Sequence, residues 1–206
     1  TIIDFSNIRE IRQKHNDNTV YELIKSKKLN AIKKSCNTKE LSRILTNYNI
    51  SLETLIDECN NNDLLAKMTS GRISILASRQ GCKDEYVQLQ TCHNISSLFN
   101  ININQLPNDA LRPCKDGTIV SKEQFKMMQD KNCCLKSFDA EITGAVQGYI
   151  FAKVTYSNGG HQDNVFEEAY TFADWVKNYG NPELLYVLLI DTNLTCKFVQ
   201  LKLKSI

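Results

Sequence analysis

The chain has 206 residues, of which 42% are hydrophobic and 23% charged, and its formal net charge at pH 7 is +2. This length and apolar content suffice for a globular protein with its own core, and few Gly (8) and Pro (3) exclude collagen-like and Pro-rich chains. The net charge is too small to indicate a nucleic-acid partner by itself. No apolar run approaches the roughly 18 residues that cross a bilayer, so we expect no membrane contact and a cytoplasmic, intracellular protein.

The first part of the chain is predicted to be mainly helical. Residues that favour helix N-caps stand before apolar residues at helical spacing, and we take these caps to be Ser6, Asn18, Thr38, Ser51 and Ser121. Residues 101–117 contain two of the three prolines and are predicted to be a long connector.

The periodicity changes after residue 130. The predicted order is strand, strand, helix, strand, strand, at 135–142, 148–156, 165–180, 184–190 and 197–203. The continuous apolar run of the third strand indicates a buried central strand, and the alternation of the fourth an edge strand. The sequence therefore predicts an α+β protein in which a helical region, 1–130, packs on a mixed-sheet core, 131–206, with a β-β-α-β arrangement. The two parts form either separate domains or one continuous domain.

Eight cysteines are scattered along the chain without a repeated short spacing. Structural zinc sites usually combine two closely spaced Cys or His pairs, and the adjacent Cys133 and Cys134 are the nearest approach to that pattern. The spacing therefore favours reduced, mostly buried thiols over a zinc site or a disulfide framework.

Two acids and a lysine lie on neighbouring predicted elements. Asp139 is on the first strand of the predicted hairpin and Lys153 on the second, and Glu167 and Glu168 are in the first turn of the helix that follows. The hairpin lets Asp139 and Lys153 face one another, and the helix brings Glu167 to the same end of the sheet. Converging carboxylates hold a hard divalent cation, while an ammonium contacts a phosphate and an attacking water. The pattern indicates phosphodiester hydrolysis.

This arrangement resembles the PD-(D/E)xK nuclease superfamily, which includes many type II restriction endonucleases. Two departures are visible: Phe151 occupies the acid position of the usual E-x-K triplet, and Asp139 follows Phe138 rather than Pro. In the CCGG-reading restriction enzymes of this superfamily, the following helix supplies the acid in a Lys-x13-Glu pattern. Lys153 and Glu167, with 13 residues between them, resemble that pattern.

The resemblance implies a Mg2+-dependent DNA endonuclease, with Mn2+ as a substitute ion, that acts on duplex DNA as a homodimer. It places the metal at Asp139 and Glu167, with Glu141 on the same strand face as an extra ligand or substitute. Members of the superfamily often carry a further catalytic acid on a helix before the core. Glu85 is the best-placed residue for that role, and Asp84 is the alternative.

Several polar residues are predicted DNA contacts, because amide, imidazole and guanidinium groups pair with base edges. They are Asn158, His161, Gln162, Asn164, Arg72 and Arg79. The turn that holds the first four also serves as the exit of the hairpin, and both roles are compatible. Two other functions remain open: a non-catalytic nucleic-acid-binding or interaction protein on the same fold, and a metal-dependent RNase or repair nuclease.

Overall fold

The computed structural model describes residues 3–155 and 162–192. The α+β class with a mixed sheet is confirmed. The chain divides after Gly81 into two compact units, well before the boundary at residue 130 expected from the sequence. The reason is that strands already begin at residue 101 and belong to the same unit as the rest of the sheet. Among the described helices, none is both long and apolar enough to cross a bilayer.

The first unit is helical. Its helices are α1 (Phe5–Lys25), α2 (Leu29–Ser35), α3 (Thr38–Tyr48), α4 (Leu52–Asn61) and α5 (Asp63–Ile73), followed by a short 3-10 helix, Ala77–Arg79. One apolar cluster, which includes the fully buried Ile24, Ile32 and Ile73, joins helices from across this unit. The predicted cap Ser51 is observed, since its hydroxyl accepts a hydrogen bond from the backbone of Thr54 at 3.1 Å.

Helix α1 is continuous where the sequence predicts a break at Asn18. Asp4, rather than Ser6, caps its first turn and accepts a hydrogen bond from Asn7. The polar residues near its centre have partners elsewhere in the unit: Asn16 donates to the carbonyl oxygen of Ile75 at 2.8 Å. A side chain that favours a cap is tolerated inside a helix when a tertiary contact satisfies it.

The second unit contains the sheets. Its helices are α6 (Gly81–Ser96), α7 (Lys122–Met127) and α8 (Gln162–Tyr179), and its strands are β1 (Ile101–Gln105), β2 (Leu111–Pro113), β3 (Ile119–Ser121), β4 (Ala140–Gly144), β5 (Gly148–Thr155) and β6 (Leu185–Thr192). The described part of the main sheet has the order β1-β4-β5-β6, antiparallel up to β5 and parallel between β5 and β6. Strands β2 and β3 form a separate antiparallel pair.

The prediction of a connector over 101–117 is wrong. Ile101 and Ile103 alternate with two asparagines, and β1 pairs with β4 so that Ile103 lies opposite Ile142. Both isoleucines of β1 pack against the apolar cluster that contains Ile142. A strand of only five residues, rich in Asn, has too weak a local pattern to be recognised without its partner.

The main sheet carries a separate apolar cluster on each face. Ile150 and Ala152 of β5 pack with Leu89 of α6 on one face, and Phe151 packs with Phe172 of α8 on the other. Successive residues of a strand point to opposite faces, so Lys153 follows Phe151 on the α8 face.

Strand β6 occupies the predicted third-strand position and extends two residues further, from Leu185 to Thr192. Leu185 is exposed, and the residues after it, through Asp191, are half-buried. In the described sheet, β6 is the last strand and lies next to β5. The predicted edge strand at 197–203 lies outside the described residues.

Candidate functional site

Lys153 is the centre of a polar site on the α8 face of the sheet. Its Nζ lies 3.8 Å from Glu85 Oε1 and 3.9 Å from Glu168 Oε2. The same Nζ lies 4.6 Å from the centroid of the Phe151 ring. Only 16% of the lysine side chain is exposed. A lysine held this way presents its ammonium to a small region between α6 and α8 instead of extending freely into water.

Asp139 lies directly before β4 and close to Lys153. Its backbone N–H donates to the carbonyl oxygen of Ile150 at 2.9 Å, and its Oδ2 accepts a hydrogen bond from the N–H of Ala152 at 2.8 Å. Burial raises the pKa of Asp139, and the Glu168 carboxylate raises it further. The Lys153 ammonium and the Ala152 N–H act in the opposite direction. The Asp139 carboxylate therefore hydrogen-bonds β5 at Ala152, next to Lys153, and the lysine acts on it electrostatically.

Glu85 reaches the site from the first turns of α6. Burial raises the pKa of Glu85 to about 7, with smaller contributions in the same direction from the carboxylates of Asp139, Asp84 and Glu168. The Lys153 ammonium lowers it. Asp84, the alternative acid, is fully buried. Glu85 makes an ion pair with the lysine.

From α8, Glu168 makes an ion pair with the lysine, whereas the sequence pattern pointed to Glu167. Glu168 stands four residues before Phe172 and seven before Trp175, both buried against the sheet, so it shares their face of the helix. Glu167 is rotated by about 100° and is exposed. The thirteen-residue spacing therefore led to the helix turn that contains Glu168, but to the residue before it. The shared stripe with Phe172 and Trp175 is the sequence signal that points to Glu168.

Glu141 lies on the same strand face as Asp139 but away from the lysine. In the antiparallel register, Glu141 is opposite Tyr149, four residues along β5 from Lys153. At about 3.3 Å per residue, this is a separation of roughly 13 Å. The reason is that moving forward along β4 moves backward along its antiparallel partner. The structure does not bring Glu141 to the site.

The predicted contacts around the turn after β5 fall partly outside the described residues. Asn158 and His161 both do. Gln162 is the first residue of α8. Asn164 is exposed and lines a cavity next to the site.

The two predicted arginine contacts lie in the first unit. Arg72 is at the end of α5, and its Nε donates to Glu40 Oε1 at 2.6 Å. Arg79 is exposed in the short 3-10 helix. The guanidinium of Arg72 is therefore already paired within its own unit.

A cavity of about 450 Å³ adjoins the site. Its lining combines aromatic, basic, acidic and amide side chains, including Phe151, Arg112, Lys136, Asn164, Glu167 and Glu168. Lys136 Nζ lies 3.7 Å from Glu168 Oε1, so Glu168 is paired with lysines on both sides. Lys136 and Arg112 were not predicted from the sequence, because neither stands in a recognisable motif.

A buried amide supports the strand that carries the lysine. The Nε2 of Gln88, one turn after Glu85 on α6, donates to Asp191 Oδ2 at 2.8 Å. It also lies 3.5 Å from the backbone oxygen of Lys153. Gln88 is 1% exposed. It links α6, β5 and β6 at the position of the lysine. The sequence signal for it is its i, i+3 relation to Glu85.

The donor set fits a hard cation in its chemistry. Glu85, Asp139 and Glu168 supply carboxylate oxygens and outnumber the one lysine between them. Three metal-ligating side chains whose ligand atoms all lie within 4.8 Å of one another are found once in the described ranges, 3–155 and 162–192. They are cysteines, not the carboxylates of this site. The three carboxylates therefore surround the ammonium without forming a closed cage. Mg2+ does not need one, since it usually binds one or two carboxylates together with waters and substrate phosphate.

Comparisons with known proteins give no assignment. No known protein family matches the chain, and neither a curated protein nor a solved structure matches it. The side chains around Lys153 are therefore the basis on which a function is proposed.

Proposed function

We propose that this chain is a Mg2+-dependent endonuclease that hydrolyses phosphodiester bonds in duplex DNA, of the type II restriction enzyme kind. The observation that carries the proposal is the position of Lys153. Its ammonium lies within 4 Å of the Glu85 and Glu168 carboxylates and next to the half-buried Asp139. One lysine among three acids at the edge of a mixed cavity is suited to bind a cation and a phosphate together.

The charge balance of the site favours an added cation. Burial and mutual repulsion raise the pKa of both Glu85 and Asp139, so the isolated site resists full ionisation. A divalent ion would relieve that repulsion. Carboxylate oxygens are ligands for Mg2+, and Mn2+ accepts the same donors. Asp139 and Glu85 or Glu168 are the residues that would hold it.

Each side chain has a role that follows from its position. Bound Mg2+ would polarise the scissile phosphate and lower the pKa of water at the site. Lys153 would donate hydrogen bonds to a phosphate oxygen and offset the negative charge that develops in the transition state. Where Glu168 is the second ligand, Glu85, with a pKa of about 7 in the metal-free site, would accept a proton from the attacking water near neutral pH. Glu168 would orient the lysine.

The order of elements around the site agrees with what the resemblance to the PD-(D/E)xK superfamily leads one to expect. Strands β4 and β5, helix α8 and strand β6 follow one another as strand, strand, helix, strand. Helix α6 precedes them and supplies the additional acid, Glu85. The helix acid that contacts the lysine is one residue later than the Lys-x13-Glu pattern requires. These agreements support the proposal, and the shift of one residue makes it testable.

Duplex DNA is the proposed substrate, and a homodimer is the proposed active form. A two-fold protein places one active centre on each strand of a palindromic site. The cavity next to the site offers cationic and amide groups to a nucleotide, from Lys136 and Asn164. Sedimentation of the protein alone and with a DNA duplex tests the dimer directly.

The function is tested by incubating the protein with plasmid and phage DNA of many sequences, with Mg2+ or Mn2+. We expect discrete fragments from the wild-type protein, and loss of cleavage by at least about a hundredfold in Asp139→Asn and Lys153→Met. Binding to the same DNA in Ca2+ should remain. Lys177→Met, which removes an exposed lysine at the end of α8, is the matched control and should cleave normally.

A neighbouring pair of variants separates the two helix acids. The contacts of Glu168 predict that Glu168→Gln reduces cleavage far more than Glu167→Gln, whereas the thirteen-residue pattern predicts the reverse order. The nuclease proposal would be refuted if the wild-type protein, with Mg2+ or Mn2+, left duplex DNA, single-stranded DNA and RNA all uncut. Binding without cleavage would favour a non-catalytic nucleic-acid-binding protein, and cleavage of RNA alone an RNase.

A further inference from the structure

Three cysteines that are distant in sequence come together in the second unit. The sulfur atoms of Cys114, Cys133 and Cys134 all lie within 4.8 Å of one another. Cys114 and Cys134 are joined by a disulfide, and the Sγ atoms of Cys133 and Cys134 are 3.8 Å apart. The expectation of reduced thiols is therefore wrong for the bonded pair. The third sulfur has no role in that bond.

Backbone contacts hold the cluster together independently of the disulfide. The N–H of Lys115 donates to the oxygen of Cys133, and the N–H of Leu135 donates to the oxygen of Pro113, both at 2.8 Å. These two hydrogen bonds lie on either side of the antiparallel backbone pairing between Cys114 and Cys134. The end of β2 and the segment before β4 thus form a small ladder. Breaking the disulfide would leave the three sulfurs close together.

We propose that, in the reduced chain, Cys114, Cys133 and Cys134 bind a thiophilic divalent ion of the Zn2+ class. Three thiolates are a common part of tetrahedral zinc sites. The thioether of Met128, whose Sδ lies 3.7 Å from Cys134 Sγ, and water are the two groups that can complete the fourth position. A disulfide bond needs two cysteines, whereas this cluster has three. A metal site uses all three.

The proposed binding follows a defined redox and proton balance. A thiol reductant donates two electrons and two protons to the Cys114–Cys134 disulfide and is itself oxidised to a disulfide, so that two protein thiols form. Zn2+ then binds three thiolates and displaces three protons to solvent. The resulting complex carries one negative charge. Lys115 and Lys131 stand close to the cluster in sequence and contribute compensating positive charge.

Trp175 reports on this site. Its Nε1–H donates to the backbone oxygen of Cys114 at 2.7 Å, and it is the only tryptophan of the chain. Cys134 also lines the cavity next to Lys153. An ion here would clamp the end of β2 to the segment that leads into Asp139. The readouts of the site are independent of nuclease activity.

The test uses the full chain, reduced without oxygen, freed of metal with a chelator and titrated with Co2+ and then Zn2+. We expect one Co2+ per chain, a near-ultraviolet thiolate-to-cobalt absorption band, displacement by Zn2+, and a change in Trp175 fluorescence. Cys133→Ser should weaken Co2+ binding by at least about tenfold. Cys82→Ser, at an exposed free cysteine, is the matched control and should bind as the wild-type protein does.

Cys133 is the informative position because it lies outside the disulfide. If the cluster serves only as a disulfide, Cys133→Ser changes nothing in the reduced titration, and the proposal fails. Absence of the absorption band in the wild-type protein also overturns it, whatever the variant does. Thermal unfolding of the oxidised Cys133→Ser protein, with its disulfide intact, shows whether that variant folds.

Discussion

Replacing Glu85 by Gln should stabilise the protein above neutral pH in the absence of divalent ions. Burial raises the pKa of Glu85 from 4.5 to about 7 in the folded chain. This difference corresponds to about 3 kcal/mol between the protonated and ionised states. A quarter of the side chain is exposed (24%), and solvent screening reduces the effect. We therefore expect a gain of about 1 to 3 kcal/mol for Glu85→Gln.

The sign follows from proton binding in the two states. Between pH 4.5 and about 7 the folded protein keeps a proton on Glu85 that the unfolded chain has released. The free energy of unfolding therefore falls as the pH rises through this window, and stays low above it. Gln cannot titrate, so the variant loses this decline. The two proteins should be similar near pH 4 and differ most near pH 8.

Urea denaturation followed by Trp175 fluorescence measures the effect, since the only tryptophan lies in the unit that contains Glu85. Wild type, Glu85→Gln and the control Glu183→Gln, at an exposed position of the same unit, are compared at several pH values with a chelator present. Adding Mg2+ at pH 8 should then stabilise the wild-type protein more than Glu85→Gln. A parallel pH dependence in all three proteins would show that burial of Glu85 does not raise its pKa.

Three further predictions concern stability. Gly148→Ala should cost more than about 3 kcal/mol, because a Cβ there would collide with the backbone of β6, whereas Gly81→Ala, with open space around it, should be tolerated in the same denaturation assay. Trp175→Phe should cost about 2 kcal/mol, because it leaves the buried oxygen of Cys114 without its donor; this variant lacks the fluorescent tryptophan, so its urea midpoint is measured by far-ultraviolet circular dichroism, and a midpoint equal to that of the wild type would contradict the prediction. Ser121→Ala, which removes half of the capping box of α7, should cost about 1 kcal/mol by calorimetry, and an unchanged melting temperature would refute it.

Local sequence patterns predicted the elements that depend on neighbouring residues. The caps Ser51 and Ser121 start helices as expected, because capping is a contact within one turn. The order of β4, β5, α8 and β6 also followed from the change of hydrophobic period. Asp139 and Lys153 were expected on neighbouring strands, and the short turn between β4 and β5 brings the Asp139 carboxylate to the backbone of Ala152, next to the lysine.

Long-range contacts decided what the patterns left open. Strand β1 exists because β4 lies beside it, not because its own residues strongly favour a strand. Glu168 rather than Glu167 meets Lys153 because the packing of α8 sets its rotation about its axis.

The cysteines show the same division most clearly. Spacing along the chain gave no reason to group Cys114 with Cys133 and Cys134. The small ladder between the end of β2 and the segment before β4 brings their sulfurs together. The sequence by itself determined which groups with useful chemistry are present and which lie on neighbouring elements. The tertiary structure decided which of them meet, because contact between distant segments depends on packing and register that no local pattern contains.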